Sequence, residues 1–368
     1  MKTLRNICFS LLIISFMTGC FDSRKSYRDI DLEQEFSLVT LKASDLLANI
    51  RYIPLETTDT ALIANIKSII ATDDYFFVRD KHLYMFDKQG KFLHKISKHG
   101  QGPGEYTTLD DCGVDAQHVY LFDSPRSQIL VYSFDNKYLK SIKIPQGITN
   151  VMKSPAGFIC YQDPLIGRKY GEPVPELIFL DDTGQLNKVL HYRTVNMKSL
   201  SPFIYAPKFT AYENKIFYYP PLQDTIFSVD ENGVIPEFII NRGQYAVNPE
   251  DVDGLAKQKD AVAKGIIIHG FAIYDNRLFL YYGNKNKPLM VMYNLSTKEL
   301  KRIEKFENDF DNLSFALNYL TNIKDNRIIN PIFASYFFDK EENKSKIPKS
   351  VTNLKEDDNP ILRILDLK

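Results

Sequence analysis

The chain has no tryptophan, which by itself excludes the SxDxGxTW Asp-box of sialidases. It also lacks an excess of either charge: Lys plus Arg and Asp plus Glu number 46 each. No global field is therefore available to gather nucleic acid or an anionic lipid surface. The six histidines (His82, His94, His99, His118, His191 and His269) form no HxH or HxxxH pair, so the close ligand spacing of a zinc site is missing. No G-x-S-x-G elbow is present for a serine hydrolase. Nothing in the sequence implies a cofactor.

Long apolar runs are scarce too. Ile7 to Met17 is apolar over 11 residues, too short to span a bilayer but right for the core of a signal peptide behind Lys2 and Arg5. Met17-Thr18-Gly19-Cys20 resembles a bacterial lipobox, which implies cleavage before Cys20 and acylation of that cysteine. The expected organisation is a signal peptide over residues 1–19, a polar, unpatterned lipidated tether over 20–37, and one folded domain over 38–368. The first expected partner is thus a lipid bilayer, reached through the acylated N-terminus; more than one acyl chain makes such an anchor stable. Of four cysteines, Cys112 and Cys160 remain for the fold. An exported protein can form a disulfide, and pairing is not readable from sequence, but their apolar neighbours favour two buried thiols.

What the chain has in quantity is Tyr and Phe, which bring aromatics to 13% and favour strands. A strand ending in an acid or amide and followed by a turn recurs as HLYMFD, QILVYSFD, ELIFLD, TIFSVD, LMVMYN and ILRILD. The copies end at Asp87, Asp135, Asp181, Asp230, Asn294 and Asp366, at intervals of 48, 46, 49, 64 and 72. Periods of 40–50 residues point to a propeller or a similar array. HLYMF does not alternate apolar with polar, so both faces of its strand should be covered, as happens when small sheets stack on one another. Further strands precede and follow each copy, giving six units of four strands, short of one. In unit six the innermost strand is expected at Leu320 (LTNIKD). The spare segment Ile50 to Glu56 (IRYIPLE) can pair beside the last strand, close the ring and remove an open edge.

IRYIPLET, FDKQGKFLHKI, GQGPGEY and the terminal NPILRILDLK, behind a lipobox, together resemble the six-bladed β-propeller lipoproteins of bacteria, relatives of NHL-type propellers. The resemblance covers nearly all of the mature chain and implies an all-β fold of four-stranded antiparallel blades in the cell envelope, anchored at the outer membrane. It assigns no reaction. Two stretches break the β pattern. Asn248-Pro249-Glu250 signals the start of a helix to about Lys264, and the charged stretch from Asp339 to Asn359 is expected to be a mobile surface loop.

Links between strands two and three, and between blades, hold nearly all the insertions, and by strand alternation they share one face of the disc. Loops that lengthen without disturbing a scaffold are where binding concentrates. That face should gather Arg79, Arg126, Arg168, Arg242, Lys285 and Lys287 with Tyr106, Tyr170 and Tyr245. Arg and Tyr dominate recognition surfaces. Gly100 to Gly104 lacks the following helix or Gly-Lys-Ser/Thr of a phosphate loop, and Glu307, Asp309 and Asp311 lack the Gly and distal Glu of a calcium loop. The first is expected to be a connector between blades and the second a solvated acidic link. The leading expectation is a non-catalytic module binding a glycan, a peptide or an envelope protein. The alternative is a propeller hydrolase or lyase, with or without metal assistance, using an acid such as Glu105 at the channel mouth. Fold alone does not choose between them.

Overall fold

The computed structural model describes residues 27–162, 173–193, 208–213, 215–247, 252, 255–285, 287–311 and 313–368. Each sequence repeat is one small sheet, and six sheets stand in a ring as a six-bladed β-propeller. Blade one shows the unit: Ser68–Ala71, Tyr75–Arg79, Leu83–Asp87 and Phe92–Ile96, paired antiparallel in chain order from the axis outwards. The terminal acid of the third strand makes the turn. Asp87 Oδ1 accepts from the amides of Gln89 and Lys91, both at 2.9 Å. Asp181 does the same for Thr183 and Gln185, and Asn294 for Ser296 and Thr297. The sequence repeat is thus a repeated hydrogen-bonded hairpin.

The core lies between blades. Leu83 and Met85 of blade one pack with Leu121 and Leu130 of blade two, and Phe122 and Val131 with Cys160 and Ile178 of blade three. Equivalent layers join blades three to four, four to five and five to six. The last junction sets Leu362 and Ile364 against Phe76 and Phe86, which completes the circle. Both faces of each third strand are covered, as the missing alternation in HLYMF requires. Cys112 and Cys160 are free thiols.

Closure follows the expected pairing. Ile361–Leu367 pairs antiparallel with Leu47–Pro54, Leu365 opposite Ile50 and Ile364 opposite Arg51. The residues before this strand also take part in the ring. Arg28–Asp31, inside the stretch read from sequence as unpatterned, pairs parallel with the outer strand of blade four (Gly233–Asn241). Ser37–Lys42 does the same beside Leu300–Glu307 of blade five. The N-terminal segment therefore crosses the rims of three successive blades.

Blade six departs from expectation at the axis. LTNIKD is not a strand: Leu317–Thr321 is a 3₁₀ turn, followed by a lone bridge from Lys324 to Arg327. Leu320 and Ile323 are buried sideways against Ala272, Phe279 and Leu47, which draws the segment off the axis. The next strand, Arg327–Ile332, contains Pro331. Proline cannot donate to a ladder and is tolerated at a sheet edge, so this strand can face the channel directly. The stretch 339–359 also differs from the mobile loop expected. It holds a short helix, Glu341–Lys344, and Val351 is buried with Phe337 and Ile361. Asn359, 3% exposed, donates to the carbonyls of Glu56 and Ala61 and accepts from the Ile63 amide. The helix expected up to Lys264 is seen as Leu255–Lys264, while Asn248-Pro249-Glu250 lies outside the described residues.

Two turn glycines carry a testable demand. Gly90 and Gly184 occupy the same place in blades one and three, both at φ +84°. A Cβ on either would lie 2.1 Å from a backbone carbonyl of the preceding blade, Pro54 or Lys143. Gly184→Ala is expected to destabilise the protein by about 1–3 kcal/mol in urea unfolding. Gly113→Ala, where the nearest atom stands at 3.9 Å, should change stability little; equal effects would contradict the steric argument.

Candidate functional site

The innermost strand of a blade has a neighbour on one side only, so its other edge turns free N–H and C=O groups to the axis. Ser68–Ala71 and Asp111–Val114 are half-buried along their whole length, in keeping with an open channel. In blade six the innermost strand is absent and the channel widens into a cavity of about 490 Å³. Its walls are Lys67 to Ala71 of blade one, Phe209 and Thr210 of blade four, residues 321–325, and Arg327, Ile329 and Pro331 of blade six. That volume falls in the range of small-molecule pockets.

The charged groups on these walls are Lys67, Lys324 and Arg327 against a single acid, Asp325. The Arg327 Nε is shielded from solvent and has no hydrogen-bond partner among the described residues. Lys208, next in the chain to Phe209, is held below the usual lysine range by burial alone. Across the channel, burial raises the Asp111 carboxyl, with Arg79 at 3.9 Å only partly offsetting it. Burial, reinforced by Asp111, pushes the Cys112 thiol up to about 12. Cys112 is therefore protonated at neutral pH and a poor nucleophile.

The residues expected on a binding rim are dispersed. Arg79 ties blade one to blade two, donating to Ser68 Oγ at 3.0 Å and to the Asp110 carbonyl at 2.7 Å. Tyr106 is 1% exposed, and its hydroxyl meets His82 Nδ1 at 2.7 Å. A side chain so placed belongs to the core. Arg126, half-buried, donates to the Glu105 carbonyl at 3.1 Å. Arg242 is 4% exposed and engages Asp224 through Nε and Nη2 at 2.8 and 2.6 Å, with the Leu222 carbonyl beside it. Burial takes Arg242 off the surface because Arg242-Gly243-Gln244-Tyr245 folds into a 3₁₀ turn over blade four. Tyr245 is half-buried with the exposed Lys285 ammonium 4.8 Å from its ring centre, and Lys287 is exposed nearby in sequence. Arg168, Tyr170 and Cys20 lie outside the described residues.

The acids weighed for chemistry are likewise engaged. Glu105 pairs with Lys98 at 2.9 Å and accepts from the Gly102 amide, contacts that lower its carboxyl below the ordinary glutamate range. It clasps its own loop. Asp309 accepts from the Ser44 amide and hydroxyl, and Asp311 binds Arg363, so the link expected to be solvated is bonded into the fold. Among the described residues, no three His, Cys, Asp or Glu side chains converge as metal ligands would. Sequence reasoning missed the cavity because it follows from a strand that does not form. Pro331 was the available signal.

The whole propeller, from the first rim strand to the closing strand, matches one family: residues 28–366 fit the domain of unknown function DUF4934. The chain belongs to the DUF4934 family. No functionally curated protein matches it. Among solved structures, an exported protein from Bacteroides fragilis is 16% identical with a TM-score of 0.66, the match covering 90% of this chain and 100% of that one. A DUF4221-family member from Bacteroides vulgatus is 9% identical with a TM-score of 0.53, covering 88% and 98%. At such identities the likeness of this DUF4934 chain to either is one of fold.

Proposed function

We propose that this DUF4934 propeller is a non-catalytic binding module of the cell envelope, held at the outer membrane by acylated Cys20, that receives a glycan or peptide in its axial cavity. The observation that carries the reading is the cavity itself, about 490 Å³ on the axis and walled by blades one, four and six. It combines apolar walls with cations and open strand edges, the mixture by which pockets hold and orient a ligand. Glu105, Asp309 and Asp311, the acids singled out by the sequence, are tied into ion pairs and hydrogen bonds, which favours binding over the hydrolytic alternative. The envelope location rests on the signal peptide and lipobox; the Bacteroides fragilis neighbour described as exported agrees with it.

Blocking the cavity tests the reading. Asn322 is an exposed lining residue, so Asn322→Trp should fill the space without disturbing the core. Ligands found for the native chain on glycan and peptide arrays should lose at least about tenfold in affinity to that variant, the scale of one lost anchoring contact. A ligand bound equally by both proteins would place the site elsewhere.

A further inference from the structure

We propose that the ligand of the axial cavity is a small organic anion, its carboxylate drawn in by Lys67, Lys324 and Arg327 and its apolar body lying along Ile70, Phe209 and Ile329. This rests on the reading of the cavity as the binding site. The charges point to it first. Other arginines held inside the fold have an acid beside them: Arg193 has Glu176, Arg242 has Asp224 and Arg363 has Asp311. Among the described residues Arg327 forms no ion pair, because Asp366, opposite it on the ladder, is taken by Arg51, and neither Lys67 nor Lys324 forms one. The chain as a whole carries equal numbers of acidic and basic residues, so a cavity wall with three cations and one acid, Asp325, is a local departure, even with the Asp111 carboxyl acting on Lys324 from across the channel.

A shielded guanidinium nitrogen without an acceptor is costly, and such a group is tolerated where a ligand supplies the acceptor. The guanidinium fork of arginine matches a carboxylate in geometry as well as charge. Lys208, at the entry to blade four, adds a further cation, partly buried and in no ion pair among the described residues. Ile70, Ile329 and Pro331 give the cavity an apolar side. An inorganic ion would leave that side uncovered, whereas an organic acid would fill both.

The test compares naphthoate with its neutral isostere naphthamide by calorimetry on the full chain. Naphthoate should bind at least about tenfold more tightly, the scale of one hydrogen bond to a charged group. Arg327→Gln and Lys324→Gln should each remove most of that preference while leaving the thermal midpoint unchanged or raised. A structural arginine would behave otherwise. If Arg327→Gln fails to fold, Lys324→Gln and Lys67→Gln, on exposed side chains, carry the comparison. Displacement of naphthoate by glucuronate or by N-acetylalanine supports the proposal and tells an acidic sugar from a peptide terminus. Equal binding of both probes, each lost in Asn322→Trp, overturns the anion and leaves the cavity as the site. Binding of neither probe also overturns the anion, and the array comparison with Asn322→Trp then decides the cavity separately.

Discussion

Arg363→Ala is expected to lower stability by about 3–5 kcal/mol, the scale on which removing one partner of a buried ion pair destabilises proteins. Arg363 is 0% exposed, on the strand at the centre of blade six. Its Nη2 reaches both Asp311 oxygens at 2.8 and 2.9 Å, its Nε reaches one at 3.1 Å, and its Nη1 donates to the Ser314 carbonyl. Tyr52, directly opposite Arg363 across the closing ladder, donates its hydroxyl to the same carboxylate. Asn308 donates to it as well, at 2.6 Å. One acid on the link from blade five thus gathers both strands of the ring closure. Alanine would leave that carboxylate without its cation and the Ser314 carbonyl without its donor. Part of the loss should be recovered in the double variant Arg363→Met with Asp311→Leu, which leaves no unpaired charge, while the Ser314 carbonyl and the Tyr52 and Asn308 donors stay without partners. Urea unfolding of the native chain, Arg363→Met, Asp311→Leu and the double variant closes the cycle, with Arg363→Ala measured beside them. A single-variant loss below about 1 kcal/mol would show that the cluster is not what joins the blade five link to blade six.

The ring was legible in the sequence because a propeller repeats one hydrogen-bonded hairpin. Asp87, Asp181 and Asn294 mark the same turn each time, and the unalternating strands before them announce burial on both faces. The closing pairing was legible for a related reason: Ile50 to Leu55 had no hairpin of its own to join. What escaped were features fixed by tertiary competition. Leu320 and Ile323 have the composition of a strand, but their burial against blade five is available only once that blade is built. Arg28–Asp31 is too short and polar to announce itself, and becomes a strand because blade four offers an open edge to its backbone.

The same distinction separates the rim residues from the cavity. Arg and Tyr on long links satisfy a compositional rule for recognition surfaces, but composition does not reveal that Asp224 stands beside Arg242 or that His82 meets the Tyr106 hydroxyl. Those partners come from loops distant in sequence. The cavity, conversely, is lined by residues ordinary in type, such as Lys67, Thr210 and Ile329. Only their placement around a missing strand gives them a shared environment.

Removing the residues before 55 is expected to abolish the folded state, whereas removing those before 43 should leave a folded but weaker protein. The shorter deletion strips the rim strands from blades four and five. It removes Ile30, Leu32 and Leu41, each 5% exposed or less, and with them burial worth about 1.5–3 kcal/mol apiece. The layers between blades four and five and between blades five and six lose these three side chains but keep their other members. The longer deletion takes Leu47–Pro54 as well, leaving blade six as two strands, and a lone two-stranded sheet is marginal in water. It also uncovers Leu362 and Ile364, the residues that seal blade six to blade one. Chain connectivity should not matter if pairing is what closes the ring. The Lys368 amide already donates to the Leu46 carbonyl at 3.0 Å, so the two strand ends lie within reach of a two-residue hairpin turn. A permuted chain that starts at residue 56 and carries residues 46–55 after Lys368 through an Asn-Gly turn should regain cooperative unfolding. Circular dichroism and thermal melts separate the three proteins. Cooperative melting of the chain beginning at residue 55, near the midpoint of the full-length protein, would mean the ring holds without its closing strand.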